Sequence, residues 1–173
     1  MLPRTPIDAA VGFDNRAVGA AVARRFIAGG RRKLAFLGGS DVRSNLRFQG
    51  FRQAARRAGL VAPRYVTVPT HGSADAAAVV ANELGNADAV FTASDVYAVG
   101  LLSALRAMCR QVPNDVAVFG LGDLEMSRHS IPRLSTVRID GRRIGNTAAE
   151  LALSPEHGRV VDVGFELLER ETA

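Results

Sequence analysis

The residues best placed to do chemistry stand in four short stretches at the ends of apolar runs. These are Phe13-Asp14-Asn15, Gly38 through Arg47, Phe91 through Asp95, and Gly120 through Asp123. The third is the most telling. In Val90-Phe91-Thr92-Ala93-Ser94-Asp95-Val96-Tyr97-Ala98-Val99-Gly100 a short apolar strand runs into a Ser-Asp pair, and a helix of small and branched apolar residues follows. The pair sits at a strand's carboxyl end and in a helix's first turn. There its side chains can cap exposed N–H groups, and the same groups can face a bound hydroxyl or anion. Gly38-Gly39 allows close approach of a ligand to the backbone, and Ser40, Asp41, Arg43, Ser44 and Arg47 follow it. An arginine presents a planar donor fork to carboxylates or vicinal hydroxyls. Phe91 offers a flat surface on which a sugar's C–H face could stack, and Asp123 a carboxylate acceptor. The candidate ligand-binding residues are Arg47, Phe91, Ser94, Asp123, Asp41 and Arg43.

Each has a plainer role open to it. Asp14, Ser44 and Ser94 can act only as helix caps, Arg47 can be solvated, and Phe91 can be core. Other chemistry finds less support. The dinucleotide pattern G-x-G-x-x-G and the phosphate-binding GK[ST] are both missing, so no cofactor is implied. His71, His129 and His157 are scattered and read as exposed loop residues. No histidine or cysteine neighbours Cys109 at metal-ligand spacing, so no metal is expected; the thiol reads as a small buried apolar residue. No Ser-His-Asp or Cys-His set can be argued, which weighs against an enzyme.

These stretches are positioned by alternating strands and helices. Strands are expected at Ala9 to Phe13, Lys33 to Leu37, Tyr65 to Val68, Ala89 to Phe91 and Val116 to Gly120. Helices are expected at Arg16 to Ala28, Asn45 to Ala58, about Ala74 to Leu84, and Ser94 to about Met108. Such alternation predicts an α/β fold, a doubly wound parallel sheet with helices on both faces. Its strand ends should gather the four stretches on one rim, where small ligands bind. Beyond residue 124 the pattern changes. An irregular Leu124 to Ser130 precedes a strand at Leu134 to Ile139, a helix at Gly141 to Leu153 and a last strand at Val160 to Leu168.

A length of 173 residues, 47% hydrophobic and 23% charged, suits one ordinary domain with a proper core. No apolar run approaches the roughly 20 residues needed to span a bilayer. The N-terminus lacks a secretory leader, so no membrane partner and a cytoplasmic location are expected. The net charge of +5 raises the question of nucleic acid. The basic residues, arginine apart from Lys33, are spread along the chain, mostly late in helices, with no recognised binding motif.

Several motifs occur in a definite order. They are Val11-Gly12-Phe13-Asp14-Asn15 with Gly19, Gly30 through Gly39, Arg47-Phe48-Gln49-Gly50-Phe51, Ala93-Ser94-Asp95 with Ala98 and Gly100, and Pro132-Arg133-Leu134-Ser135-Thr136-Val137-Arg138. Their order and spacing resemble the effector-binding domain of the LacI/GalR family of bacterial transcriptional repressors, from about residue 8 to the end. The resemblance implies a periplasmic-binding-protein-like (type I) fold: two subdomains with a sugar-like effector in the cleft. Residues 8–130 would be the C-terminal subdomain, and residues 131–173 the crossover strand, helix and final strand of an N-terminal subdomain otherwise missing. It also implies that Arg47 contacts the effector, that Phe91 lines the pocket, and that Ser94 stands where many relatives have asparagine. Many relatives carry two acidic or amide residues in the late strand's loop; here Gly122-Asp123 replaces the first with glycine. Arg47 is then less compensated, which favours an anionic ligand. The Gly-Asp version most resembles the gluconate-repressor branch, implying a sugar acid such as gluconate.

A full family member would also carry a helix-turn-helix, through which alone it would touch operator DNA; that unit precedes the matching segment. A tail without its subdomain would expose Ile144, Leu151, Val161, Val163 and Phe165. A homodimer is expected, either through the family's lateral face (the helix from Ser94 and the Leu124–Ser130 region) or by tail exchange. The rival readings are a transport system's sugar-binding protein, which shares the fold, and a small doubly wound enzyme using Asp123 or Cys109.

Overall fold

The computed structural model describes residues 8–69, 73–153 and 158–173; His71 and His157 lie outside them. The strands are β1 (Ala10–Gly12), β2 (Leu34–Gly38), β3 (Arg64–Thr67), β4 (Ala89–Thr92), β5 (Ala117–Leu121), β6 (Ser135–Arg138), β7 (Val160–Asp162) and β8 (Glu166–Leu168). The helices are α1 (Asn15–Ala28), α2 (Val42–Arg57), α3 (Ala74–Val79), α4 (Asp95–Ala107), α5 (Glu125–His129) and α6 (Gly141–Leu153). A 3₁₀ turn at Ala81–Leu84 follows α3 where one continuous helix was expected. α5 occupies the stretch expected to be irregular.

The main sheet has the order β3-β2-β4-β5-β6-β8, parallel except for β8. β2 and β4 are buried along their whole length, as strands covered on both faces must be. From β2 the chain crosses to β3 on one side, and from β4 it crosses to β5 on the other. Right-handed crossovers therefore put α2 and α4 on opposite faces. α1 packs with α2, and α3 with α4. The core is aromatic at its centre: Phe26, Phe36, Phe51, Phe91 and Phe119 are fully or almost fully buried and meet largely edge-on or tilted.

α1 and α2 touch backbone to backbone. A Cβ added to Gly50 would lie 1.9 Å from the Arg16 carbonyl oxygen, and one added to Gly19 1.9 Å from that of Arg47. Backbone cannot rotate away as a side chain can. Gly50→Ala is therefore expected to cost about 2–3 kcal/mol of stability by overpacking, read as a lower urea midpoint.

The ends of the chain depart from expectation. β1 does not join the main sheet; it pairs in parallel with β7, and α6 packs against it. The expected strand at Val160 to Leu168 breaks at Gly164, whose φ of +72° suits glycine and whose N–H donates to Asp162 Oδ1. The chain then returns as β8, antiparallel to β6. The larger sheet thus takes β6 and β8 from beyond residue 130 and gives up β1 from before it. The tail is therefore covered instead of exposed: Leu151, on α6 against β1, and Val163 are buried, Phe165 packs on the main core, and Ile144 and Val161 are half-buried. Cys109 is likewise not buried. It follows the last turn of α4 with φ +55°, where the backbone reverses and turns the thiol outward.

Candidate functional site

The neighbouring strands β2 and β4 feed loops that diverge to opposite faces, and the cleft between those loops is where a parallel sheet opens to a ligand. Here the cleft is a hollow of about 390 Å³ lined by Asp41, Arg43, Ser44 and Arg47 from the β2–α2 side and Ala93, Ser94 and Tyr97 from the β4–α4 side. Four expected residues, Asp41, Arg43, Arg47 and Ser94, thus meet in one place.

Arg47 is buried, 8% exposed. Its Nε donates to Asn15 Oδ1 at 2.8 Å and its Nη1 to the Ala93 carbonyl at 3.2 Å, both neutral acceptors. Nη2 has no protein acceptor among the described residues, and no carboxylate there lies within ion-pairing distance of the guanidinium. Burial lowers the Arg47 pKa, with Asp41 nearby acting the other way; an arginine nonetheless stays charged. The result is a fixed cation with a donor to spare, facing a polar hollow.

Asp41 is held by its own helix. It caps α2, accepting from the backbone N–H groups of Arg43 and Ser44 at 2.9 and 3.0 Å, and from Ser44 Oγ at 2.6 Å. Burial works against its charge, but these bonds together bring its pKa below the ordinary carboxylate value. Asp41 therefore spends most of its acceptor capacity locally. Ser94 accepts from the Val96 N–H at 3.2 Å, so the capping role is real and coexists with a place in the hollow. Asp14 caps α1 in the same way.

Two expected residues stand elsewhere. Phe91 is fully buried, packed against Phe36 and Phe51 beneath the hollow, and presents no surface to it. Asp123, at the same rim, does not line the hollow. Its Oδ1 accepts from Arg170 Nη2 at 2.6 Å and its Oδ2 from Arg128 Nη2 at 2.7 Å. Burial opposes the Asp123 charge; the two arginines more than offset that and lower its pKa. Asn15, in the first of the four stretches, and Tyr97, just beyond the third, join the site although neither was singled out as a candidate ligand residue. Tyr97 stands three positions after Ser94 on α4 and so shares its face, a spacing readable from the sequence.

Asp95, the pair's second member, is also structural. Its Oδ1 accepts from Thr136 Oγ1 at 2.5 Å and its Oδ2 from the Leu124 N–H at 2.8 Å, joining α4 to β6 and the loop after β5. His129 is exposed. Among the described residues no group of three or more His, Cys, Asp or Glu could hold a metal ion, and no helix is long and apolar enough to cross a membrane.

Residues 23–171 match the periplasmic binding protein-like domain family. The chain is similar to the HTH-type transcriptional regulator GntR of Pseudomonas aeruginosa, with 38% identity over 94% of this chain and 50% of that protein. The crystal structure of a LacI family transcriptional regulator from Silicibacter pomeroyi superposes with a TM-score of 0.88 at 33% identity, covering 99% of this chain and 67% of that one. The transcriptional regulator CelR in complex with cellobiose does so at 0.81 and 27%, over 96% of this chain and 54% of that one. The chain spans about half the length of the curated relatives it matches.

Proposed function

The chain belongs to the periplasmic-binding-protein-like domain family as it occurs in LacI-type regulators, and we propose that it binds the small-molecule effector of such a regulator. The effector is a sugar acid, an aldonate such as gluconate. The observation that carries this reading is Arg47: a buried cation hydrogen-bonded only to neutral partners, with an uncommitted donor and with Asp41 nearby but not paired to it, beside a hollow edged by serine hydroxyls and Tyr97. A carboxylate ligand would complete its coordination with a charge-assisted bond, while Ser44, Ser94 and Tyr97 are of the type that binds hydroxyls. The complex of CelR with cellobiose supports a carbohydrate-sized ligand at this kind of site.

Residues 8–130 supply most of one wall of the effector cleft, and residues 131–173 the crossing to a second subdomain. The ligand works by favouring one of two conformations, and operator contact falls to a helix-turn-helix unit of the same protein. The protein acts in the cytoplasm, without catalysis, as a homodimer. Leu124 and Met126 of the lateral face are 41% and 44% exposed, which supports a contact there. Isothermal titration with gluconate and glucose tests the ligand class. Gluconate is expected to bind about tenfold or more tightly, and a preference for glucose would overturn the reading.

A further inference from the structure

A larger hollow, of about 620 Å³, is lined by α1, α2 and the loop after α2 and shares no lining residue with the sheet-edge hollow. Its cationic lining is Arg16 from α1 with Arg52 and Arg56 from α2, and Gln49 and Gln53 complete the polar wall. Positions 49, 52, 53 and 56 recur every three or four residues, so they form one face of α2. Gly50 is also at this surface. The close approach it permits sets Arg16 beside that face.

The charge here is not balanced by the protein. Neither Asn15–Ala28 nor Val42–Arg57 contains a single aspartate or glutamate. Outside the groove, Arg25 further along α1, and Arg128, Arg133, Arg138 and Arg170, each pair with a carboxylate. The guanidinium groups of Arg16, Arg52 and Arg56 have no hydrogen-bond acceptor or ion-pair partner among the described residues. Arg52 lies 5.7 Å from the Phe48 ring centroid, a cation–π contact that steadies it without neutralising it. Arg52 and Arg56 are also one helical turn apart, where like charges repel. A multiply charged anion would relieve all of this together.

We propose that this groove is a second anion site, for a small phosphorylated molecule. Three cations call for more than one negative charge, and the guanidinium fork matches the oxygens of a phosphate group. The groove's volume is that of a small-molecule site, and Leu60 and Ala62 at its end provide apolar surface for the remainder of the ligand. The site differs from the sheet-edge hollow in residues, charge and position, and stands independently of the effector reading.

The test is a titration of the full chain with inorganic pyrophosphate at low ionic strength, followed by backbone amide NMR. Saturable shifts are expected at Gln49–Arg56 and Leu60–Ala62. R52Q/R56Q is expected to weaken binding about tenfold or more, as is R16Q from the other helix. R24Q, an exposed arginine outside the groove, should leave it unchanged, and saturating gluconate should not displace the probe. Shifts that never saturate, that spread over the other exposed arginines, or that persist in R52Q/R56Q and R16Q would overturn the site. So would competition by gluconate, which would move the anion to Arg47. Binding of a DNA duplex lost in R52Q/R56Q, with pyrophosphate inactive, would assign the groove to nucleic acid and reject the small-molecule ligand.

Discussion

Arg47→Gln is expected to reduce gluconate affinity about a hundredfold, equivalent to about 2.7 kcal/mol, and to leave glucose affinity nearly unchanged. Arg47 donates to Asn15 and Ala93 on its protein side, which leaves its remaining donor and its charge for the ligand. Glutamine retains a donor for Asn15 but removes the charge. The selectivity ratio is therefore the informative readout, because partial loss of folded protein scales both affinities alike. Arg47→Lys tests the shape of the cation as well as its charge. A compact ammonium cannot reach Asn15, the Ala93 carbonyl and a carboxylate at once as the planar fork can, so about tenfold is lost even though the charge remains. Calorimetry on the three proteins, with melting temperatures to track folding, checks both. Equal losses for gluconate and glucose in Arg47→Gln would mean that Arg47 shapes the pocket without reading a carboxylate.

The strand–helix alternation was legible because its apolar runs are short and sharply ended. β2 and β4 are bounded by Gly38-Gly39 and Ser94-Asp95, and those junctions put Arg47 and Ser94 on one rim. Which way a strand residue points was not legible where both faces are covered. Phe91 sits in a strand buried throughout, so alternation carries no label for ligand side or core side, and its packing against Phe36 and Phe51 from distant segments decides the matter. Asp123 is engaged away from the hollow by another long-range contact: Arg170, 47 residues later, reaches it only because β8 folds back beside β6. That return is itself marked by Asp162 and Gly164, a turn pair inside a largely apolar run. The pairing of β1 with β7 joins segments about 150 residues apart in a three-residue ladder, too short for a local pattern to announce.

Asp95→Ala is expected to be among the most damaging single changes in the molecule, costing about 3 kcal/mol or more. The residue is fully buried, and its carboxylate is the acceptor for the Thr136 hydroxyl and the Leu124 N–H. Truncation removes the acceptor and strands both donors. Backbone closes in from the other side as well, since a Cβ on Gly120 would come within 2.2 Å of Asp95 Oδ1; water has little room to substitute. In the Asp95→Ala background a further Thr136→Val should cost far less than it does alone, because the hydroxyl has already lost its acceptor. Asp95→Asn keeps the shape and separates charge from hydrogen bonding. Burial raises the Asp95 pKa, and the hydrogen bonds from Thr136 and Leu124 only partly counter it. With the folded value above the unfolded one of about 3.9, the carboxyl's contribution is full at lower pH and declines as pH rises through the folded value. The asparagine has no such dependence. The stability gap between wild type and Asp95→Asn, from urea unfolding at a series of pH values upward from about 4, should therefore narrow as pH rises. A gap that widened instead would mean that the hydrogen bonds to the charged form outweigh burial at this carboxylate.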